Sequence, residues 1–348
     1  MRMTTLYVSK SGLRVFDLSR AYGLGLLAEA LGGNAKLIEH GSYFEINGDE
    51  LDFEKLSKLY KYLGDDLPWK DSLRTIQGDE KKKEKFEEIK TKFSDKEFIK
   101  SLVDSHRSFN TNIWGNETLY HSIEPAAAKG IRDEIIRRSY TEGEQLKVSK
   151  EEWALAFFGH INISTWQRGE GQQLCVIPHP DHLEIKNIEI LRDGMRKIRR
   201  INRAGTEVSV AQICVSLYKS AMASQSNPFM GGAKFNNMLF YSLTKTATQW
   251  KPGGLEAYPL DLINRLIESG ATSQKIYEVL DIWEKIIQMG NRKGWESLAL
   301  GLARTIGKPN IDNWEKYISL HLRYSKRYDF HVYYPRELME EVIKCLEH

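Results

Sequence analysis

The segment TEVSVAQICVSLYKSA, residues 206–221, decides how the chain is read. Its apolar side chains Val210, Ile213, Cys214, Leu217, Tyr218 and Ala221 recur at i, i+3, i+4 and i+7, the spacing that lines one face of an α-helix. Further on, Ile276, Val279, Leu280, Trp283, Ile286 and Ile287 form a second such face closed by Gly290, and Pro335 suits the first position of a last helix to Leu346. This periodicity predicts a bundle of five or six helices beyond Gly205 and no strand there.

Toward the amino terminus the pattern changes. Thr4 to Val8, Leu13 to Leu18 and Ala35 to Ile46 carry short β-branched and aromatic runs, broken by Ser11-Gly12 and by His40, Gly41 and Ser42, and read as strands and turns. Phe53, Leu56, Tyr60 and Leu63 then keep helical spacing, with Asp52 as cap and Gly64 as stop. Gly78 to Lys100 is crowded with charge of both signs, yet Phe86, Ile89 and Phe93 hold one apolar stripe, so it reads as a solvated helix. Leu174 to Ile177 reads as a buried strand ended by Pro178 and Pro180. From Ile185 on, Ile188, Leu191, Met195, Ile198 and Ile201 predict one long amphipathic helix. The expected class is α+β: an amino-terminal domain over 1–205, made of a small sheet with packed helices, and an all-helical bundle over 206–348.

With 348 residues, 41% hydrophobic and 28% charged, the chain suits two packed regions and no large disordered part. Fifty Lys and Arg against 47 Asp and Glu leave +3, so affinity for a polyanion has to come from local clustering. Cys175, Cys214 and Cys345 are far apart and form no CxxC pair, which fits neither a disulfide framework nor a thiolate zinc site. Met1 to Lys10 lack the apolar stretch of a signal peptide, and no run reaches about 18 apolar residues, the length of a membrane span. The expected location is the cytoplasm, without a membrane partner.

Enzyme signatures are scarce. Gly23, Gly25 and Ala28 outline a dinucleotide-binding turn, but Arg14, Asp17 and Arg20 interrupt the preceding run and no βαβ alternation follows, so close helix packing explains the glycines better. His179 and His182 with Asp181 have no third or fourth metal partner nearby and read as a loop between prolines. A phosphate loop, a GxSxG elbow, an HExxH helix and a paired-carboxylate signature are all absent. The expectation is a non-enzyme with no catalytic residue, cofactor or metal.

Arg192, Arg196, Lys197, Arg199, Arg200 and Arg203 fall within one short stretch that holds a single acid, Asp193. Arg196, Arg200 and Arg203 stand at i, i+4 and i+7, so a helix would present their guanidinium forks to successive phosphates. The segment from Asn227 to Asn237 reads as a loop able to approach a groove: Gly231 and Gly232 permit close backbone contact, Asn227, Asn236 and Asn237 suit base edges, and Lys234 adds charge. Lys326 and Arg327, between Tyr324 and Tyr328, interleave cations with rings as single-strand stacking platforms do.

Taken in order, the β-rich start, the segment WALAFFGHIN at 153–162, the strand and basic helix, the Asn/Gly loop, YPLD at 258–261 and NRKGWE at 291–296 resemble one family. The chain resembles the large subunit of an archaeal-type CRISPR interference complex, the Cascade of subtype I-A. The resemblance implies a non-catalytic subunit that binds crRNA and double-stranded target DNA and contacts the protospacer-adjacent motif. Its partners would be the backbone, crRNA-end-binding and small subunits, together with a helicase-nuclease. Such a protein reads a short duplex motif and holds backbones while guide pairing reads the rest. Two other classes fit the residues: a nucleotide-using or hydrolytic enzyme with a site assembled from distant positions, and a purely structural scaffold.

Overall fold

In the computed structural model the described residues are 3–109, 112–127, 146–224, 227–229, 231–247, 249–327 and 332–346. They form an α+β protein of two compact units. The first unit comprises Met1–Trp166, Pro180–Ile188 and Tyr241–Leu255, and the second comprises Gln167–His179, Glu189–Phe240 and Glu256–His348. The chain passes between units inside three strands, so the units interleave along the sequence and do not divide at Gly205.

The first unit is built on a small antiparallel sheet. β1 (Met3–Ser9) pairs with β3 (Tyr43–Asp49), β3 with β2 (Lys36–Glu39), and β2 with the end of β7 (Gln172–Glu184) from His182 onward. Period-two alternation buries Leu6, Val8, Leu37, Phe44 and Ile46 on one face. Behind them lies α1 (Arg14–Leu31). The expected strand over Leu13 to Leu18 is therefore the first turn of a helix, which is buried on nearly every side and so shows no polar stripe to betray its period. A 3-10 helix follows at Phe53–Tyr62, with the Asp52 carboxylate accepting from the Glu54 N–H as its cap. After α2 (Trp69–Ser72) come α3 (Asp79–Ser94), which buries the expected stripe Phe86, Ile89 and Phe93, and α4 (Lys96–Ser105), capped by Asp95. A two-stranded ribbon pairs β4 (Trp114–Thr118) with β5 (Lys147–Val148).

The principal helix contact of this unit joins α1 to α5 (Lys150–Ile163). Here the glycines have a steric reason. A Cβ on Gly23 would stand 2.3 Å from the Leu155 carbonyl oxygen, and one on Gly159 would stand 1.9 Å from that of Ser19. The GxG element is thus a helix-crossing device, as its sequence context indicates. It is not a phosphate turn, because Gly23 and Gly25 lie in the middle of α1 and not at its amino end.

In the second unit, β6 (Thr165–Gly169) runs into β7, β7 lies beside β8 (Ala233–Thr246), and β8 pairs with β10 (Glu256–Pro259). The remainder of β8 forms a hairpin with β9 (Gln249–Pro252) in the first unit. These strands correct the expectation of an all-helical chain beyond 205. Ala233, Phe235 and Met238 are buried while Lys234, Asn236 and Asn237 are half-buried, so much of β8 has the alternation of a half-buried strand, hidden by its Asn and Gly content. β7 likewise does not end at Pro178 or Pro180, and His179, Asp181 and His182 belong to the strand and not to a loop.

The helical part begins with α6 (Ile188–Arg196) and α7 (Thr206–Met222), the latter burying Val210, Ile213, Cys214, Leu217, Tyr218 and Ala221 as its spacing predicts. α8 (Asp261–Glu268), α9 (Ser273–Met289), α10 (Glu296–Gly307), α11 (Ile311–Arg327) and α12 (Arg336–Leu346) complete it, with α9 and α10 packed on α7 and α11 packed on α10. Cys175, Cys214 and Cys345 are buried free thiols. No helix is long and apolar enough to cross a membrane among the described residues.

Candidate nucleic-acid interface

The basic stretch starts on a helix and then leaves it. α6 ends at Arg196, so Arg200 and Arg203 do not continue one helical face with it, contrary to their i, i+4, i+7 spacing. The cause is competition for backbone hydrogen bonds. The Arg168 N–H donates to the Arg199 carbonyl at 2.9 Å and the Ile201 N–H donates to the Arg168 carbonyl at 3.1 Å, which draws 199–201 alongside β6. The half-buried Arg192 and Arg196 remain on α6, and the Lys197 ammonium donates to Ser220 Oγ at 2.8 Å. Arg199, Arg200 and Arg203 are exposed.

Beyond them, buried polar contacts fix where the extended stretch leads. Asn202 is buried and its side-chain amide donates to Gln212 Oε1 and to the Ile287 carbonyl. The Arg203 N–H donates to Asn291 Oδ1 at 3.2 Å, and its guanidinium meets Glu296 at 3.3 Å. Residues 291–296 therefore adjoin the arginines, with Arg292 and Lys293 exposed. Glu296 opens α10 and accepts the Gly294 N–H at 2.7 Å. Hydrogen bonds from its own N–H and from that of Gly294, with Arg203 and Lys293 nearby, hold its carboxyl below its ordinary range. The Gly294 carbonyl accepts the Tyr324 hydroxyl at 2.7 Å, and the Trp295 and Tyr324 rings meet at 5.2 Å with a 48° tilt.

Three distant segments thus converge: Arg168 on β6, the 199–203 stretch, and the 291–296 turn with Tyr324 from α11. Six exposed cations lie on these segments, Arg168, Arg199, Arg200, Arg203, Arg292 and Lys293, together with the carboxylates of Glu296 and the exposed Glu170; of the six, Arg203, Arg292 and Lys293 adjoin the turn that carries the half-buried Trp295. Arg168 and the 291–296 turn with Arg292, Lys293 and Trp295 are not legible as one site with 199–203 in the sequence, since the three segments are far apart along the chain. Lys326 is exposed, but it stands two residues from Tyr324 on α11 and so points to the other side of that helix. The Arg327 side chain and Tyr328 lie outside the described residues.

The expected motif-reading loop is shorter than its composition suggests. Lys234, Asn236 and Asn237 belong to β8, where the half-exposed Lys234 pairs with Glu268 at 2.7 Å and Asn237 faces His179 at 3.4 Å. The Asn236 carbonyl accepts the Leu260 N–H. Asn227 is engaged locally, its side-chain oxygen accepting the Phe229 N–H at 3.1 Å. Gly231 is exposed with φ +100°, a conformation that favours glycine, and Gly232 is half-buried. Lys234, Asn236 and Asn237 therefore sit on a strand and not on one loop with Asn227, Gly231 and Gly232.

Elsewhere, titratable groups cluster in the core of the first unit. Arg20 on α1 is buried and bonds Glu152, Asp17 and the Ser9 carbonyl, while His106 Nε2 lies 3.4 Å from Glu152. Burial raises the Glu152 carboxyl, but Arg20 and His106 outweigh it and hold the group down to about 2. Glu124 is wholly buried and pushed up to about 7 by burial, although it accepts the N–H groups of Val15, Phe16 and Ala126. His160 is buried and lowered to about 3, with Ser19 Oγ at 3.3 Å from its Nδ1. Arg20, Asp17, Glu152 and His106 thus pair with one another, whereas Glu124 is held by backbone N–H groups. No group of three or more His, Cys, Asp or Glu side chains suited to a metal occurs among the described residues, and His179, Asp181 and His182 do not make one.

No known family profile matches the chain. It is 34% identical over 334 residues to an uncharacterized protein of Archaeoglobus fulgidus, covering 92% of each chain. The chain belongs to the family of that protein.

Proposed function

We propose that this protein is a non-catalytic nucleic-acid-binding subunit that holds phosphodiester backbone on the basic face of its second unit. The observation that carries this reading is that three segments bearing six exposed cations meet, one of them carrying an aromatic ring pair, in a chain whose overall balance is only +3. Guanidinium groups suit phosphate because their planar donors match its oxygens, and such contacts bind any sequence. The resemblance to the large subunit of a subtype I-A CRISPR interference complex supplies the assembly: a cytoplasmic crRNA-guided particle in which this chain contacts target DNA and its short adjacent motif and helps recruit a helicase-nuclease. Base reading is not assigned to Asn227, Gly231, Gly232, Lys234, Asn236 or Asn237, whose settings differ from those of a groove-reading loop.

Purification of the protein with its native partners, followed by sequencing of the RNA that accompanies it, tests the assembly. A bound RNA of alternating repeat and spacer segments, together with other subunits of such a complex, is the expected result. A protein recovered alone or with unrelated partners and no such RNA overturns the assembly reading.

A further inference from the structure

Resting on the nucleic-acid reading above, a narrower conclusion follows from what lies among the cations. A duplex shows a protein its phosphates and base edges, whereas its base faces are stacked out of reach. A single strand exposes those faces, and its binding sites pair a cationic track with aromatic rings. The second unit has both elements in one place. Trp295 is half-buried at the start of α10, with Arg292 and Lys293 preceding it in the same turn. The tilted Tyr324 ring and the Tyr324 hydroxyl bond to Gly294 hold the turn against α11. Arg203 reaches the same turn through Asn291 and Glu296, which joins the cations of 199–203 to those beside the indole.

We infer that this face takes single-stranded nucleic acid in preference to duplex, with one base against the Trp295 ring and the backbone held by Arg199, Arg200, Arg203, Arg292 and Lys293. The indole is the positioning group for the base, and the cations set the affinity.

The test uses the full-length chain with a fluorescently labelled oligonucleotide, as a single strand and as a duplex of the same sequence, followed by anisotropy. The single strand should bind at least several-fold more tightly. Trp295→Ala should weaken single-strand binding by about 10-fold while leaving duplex binding within about 2-fold, because base stacking on an aromatic side chain is worth roughly that factor or more. Trp295→Phe keeps a ring at the start of α10 and should retain most of the affinity. It should also lose a measurable part of the tryptophan quenching that a single strand produces in the unaltered protein, a readout that stands even if Trp295→Ala folds poorly. Equal binding of strand and duplex, or quenching unchanged in Trp295→Phe, overturns the single-strand inference and leaves the backbone reading in place. Absence of binding to either form overturns both.

Discussion

Arg20, Glu152 and His106 show how a chain can hold charged groups in its interior by pairing them. Arg20 and Glu152 are each almost wholly buried, and the Arg20 bonds to Asp17, Glu152 and the Ser9 carbonyl use up its donors in several directions. Removing one partner of a buried pair leaves the other uncompensated, so Glu152→Ala should destabilise the protein by about 3 to 5 kcal/mol, read from chemical unfolding. A loss below about 1 kcal/mol would mean that Arg20 finds water or another acid.

Glu124 gives a pH signature of defined sign. Its carboxyl titrates near 7 when folded against an ordinary value of 4.5, so the folded state binds more protons than the unfolded state between those pH values. The stability from this group is complete below about pH 4.5 and is lost as pH rises to about 7. His160, lowered to about 3, pushes the other way over part of that window, as unfolding lets it take up a proton. A comparison with Glu124→Gln cancels the histidine contribution. The melting temperature of the variant minus that of the unaltered protein should climb between pH 4.5 and 7 and level off above it, and a flat difference would exclude the shift.

At the level of elements, the contact of α1 with α5 depends on glycine. An alanine in a helix interior gains about 1 kcal/mol over glycine. At position 159 its Cβ would stand 1.9 Å from a backbone oxygen, which no rotamer relieves. Overpacking of this kind costs about 1 to 3 kcal/mol or more and wins, so Gly159→Ala should lower stability by roughly 2 kcal/mol or more in thermal or denaturant unfolding. Unchanged stability would show that the two helices separate readily. The same elements explain what was legible. Helices with one apolar stripe, such as α3 and α9, are readable from spacing alone, because water on one side imposes the period. α1 is enclosed, so its first turn, with Val15, Phe16 and Leu18, resembles a buried strand. The basic run fails in the opposite sense: Ile198 and Ile201 keep helical spacing, yet hydrogen bonds from a strand distant in sequence draw that segment out of the helix. In β8 the alternation was present, but Lys234, Asn236 and Asn237 outweighed it by composition.

For the whole molecule, charge is near balance and therefore silent about partners, whereas its placement is not. Three segments that carry six exposed cations meet only once the second unit has folded, which is why the sequence pointed to the 199–203 part of the face and missed Arg168, Arg292 and Lys293. The central claim is that this face neutralises phosphates, and the measurement that tests it most directly is the salt dependence of nucleic-acid binding by the intact protein and by an Arg199→Glu, Arg200→Glu variant. Each lost phosphate contact reduces the slope of log affinity against log salt by about 0.7 for a single strand and about 0.9 for a duplex. The variant should bind more weakly at every salt concentration, with a slope shallower by about 1.4 on a single strand if each arginine holds one phosphate. Unaltered affinity and slope in a correctly folded variant would contradict the account, because two exposed arginines at the middle of the basic stretch would then be outside the interface.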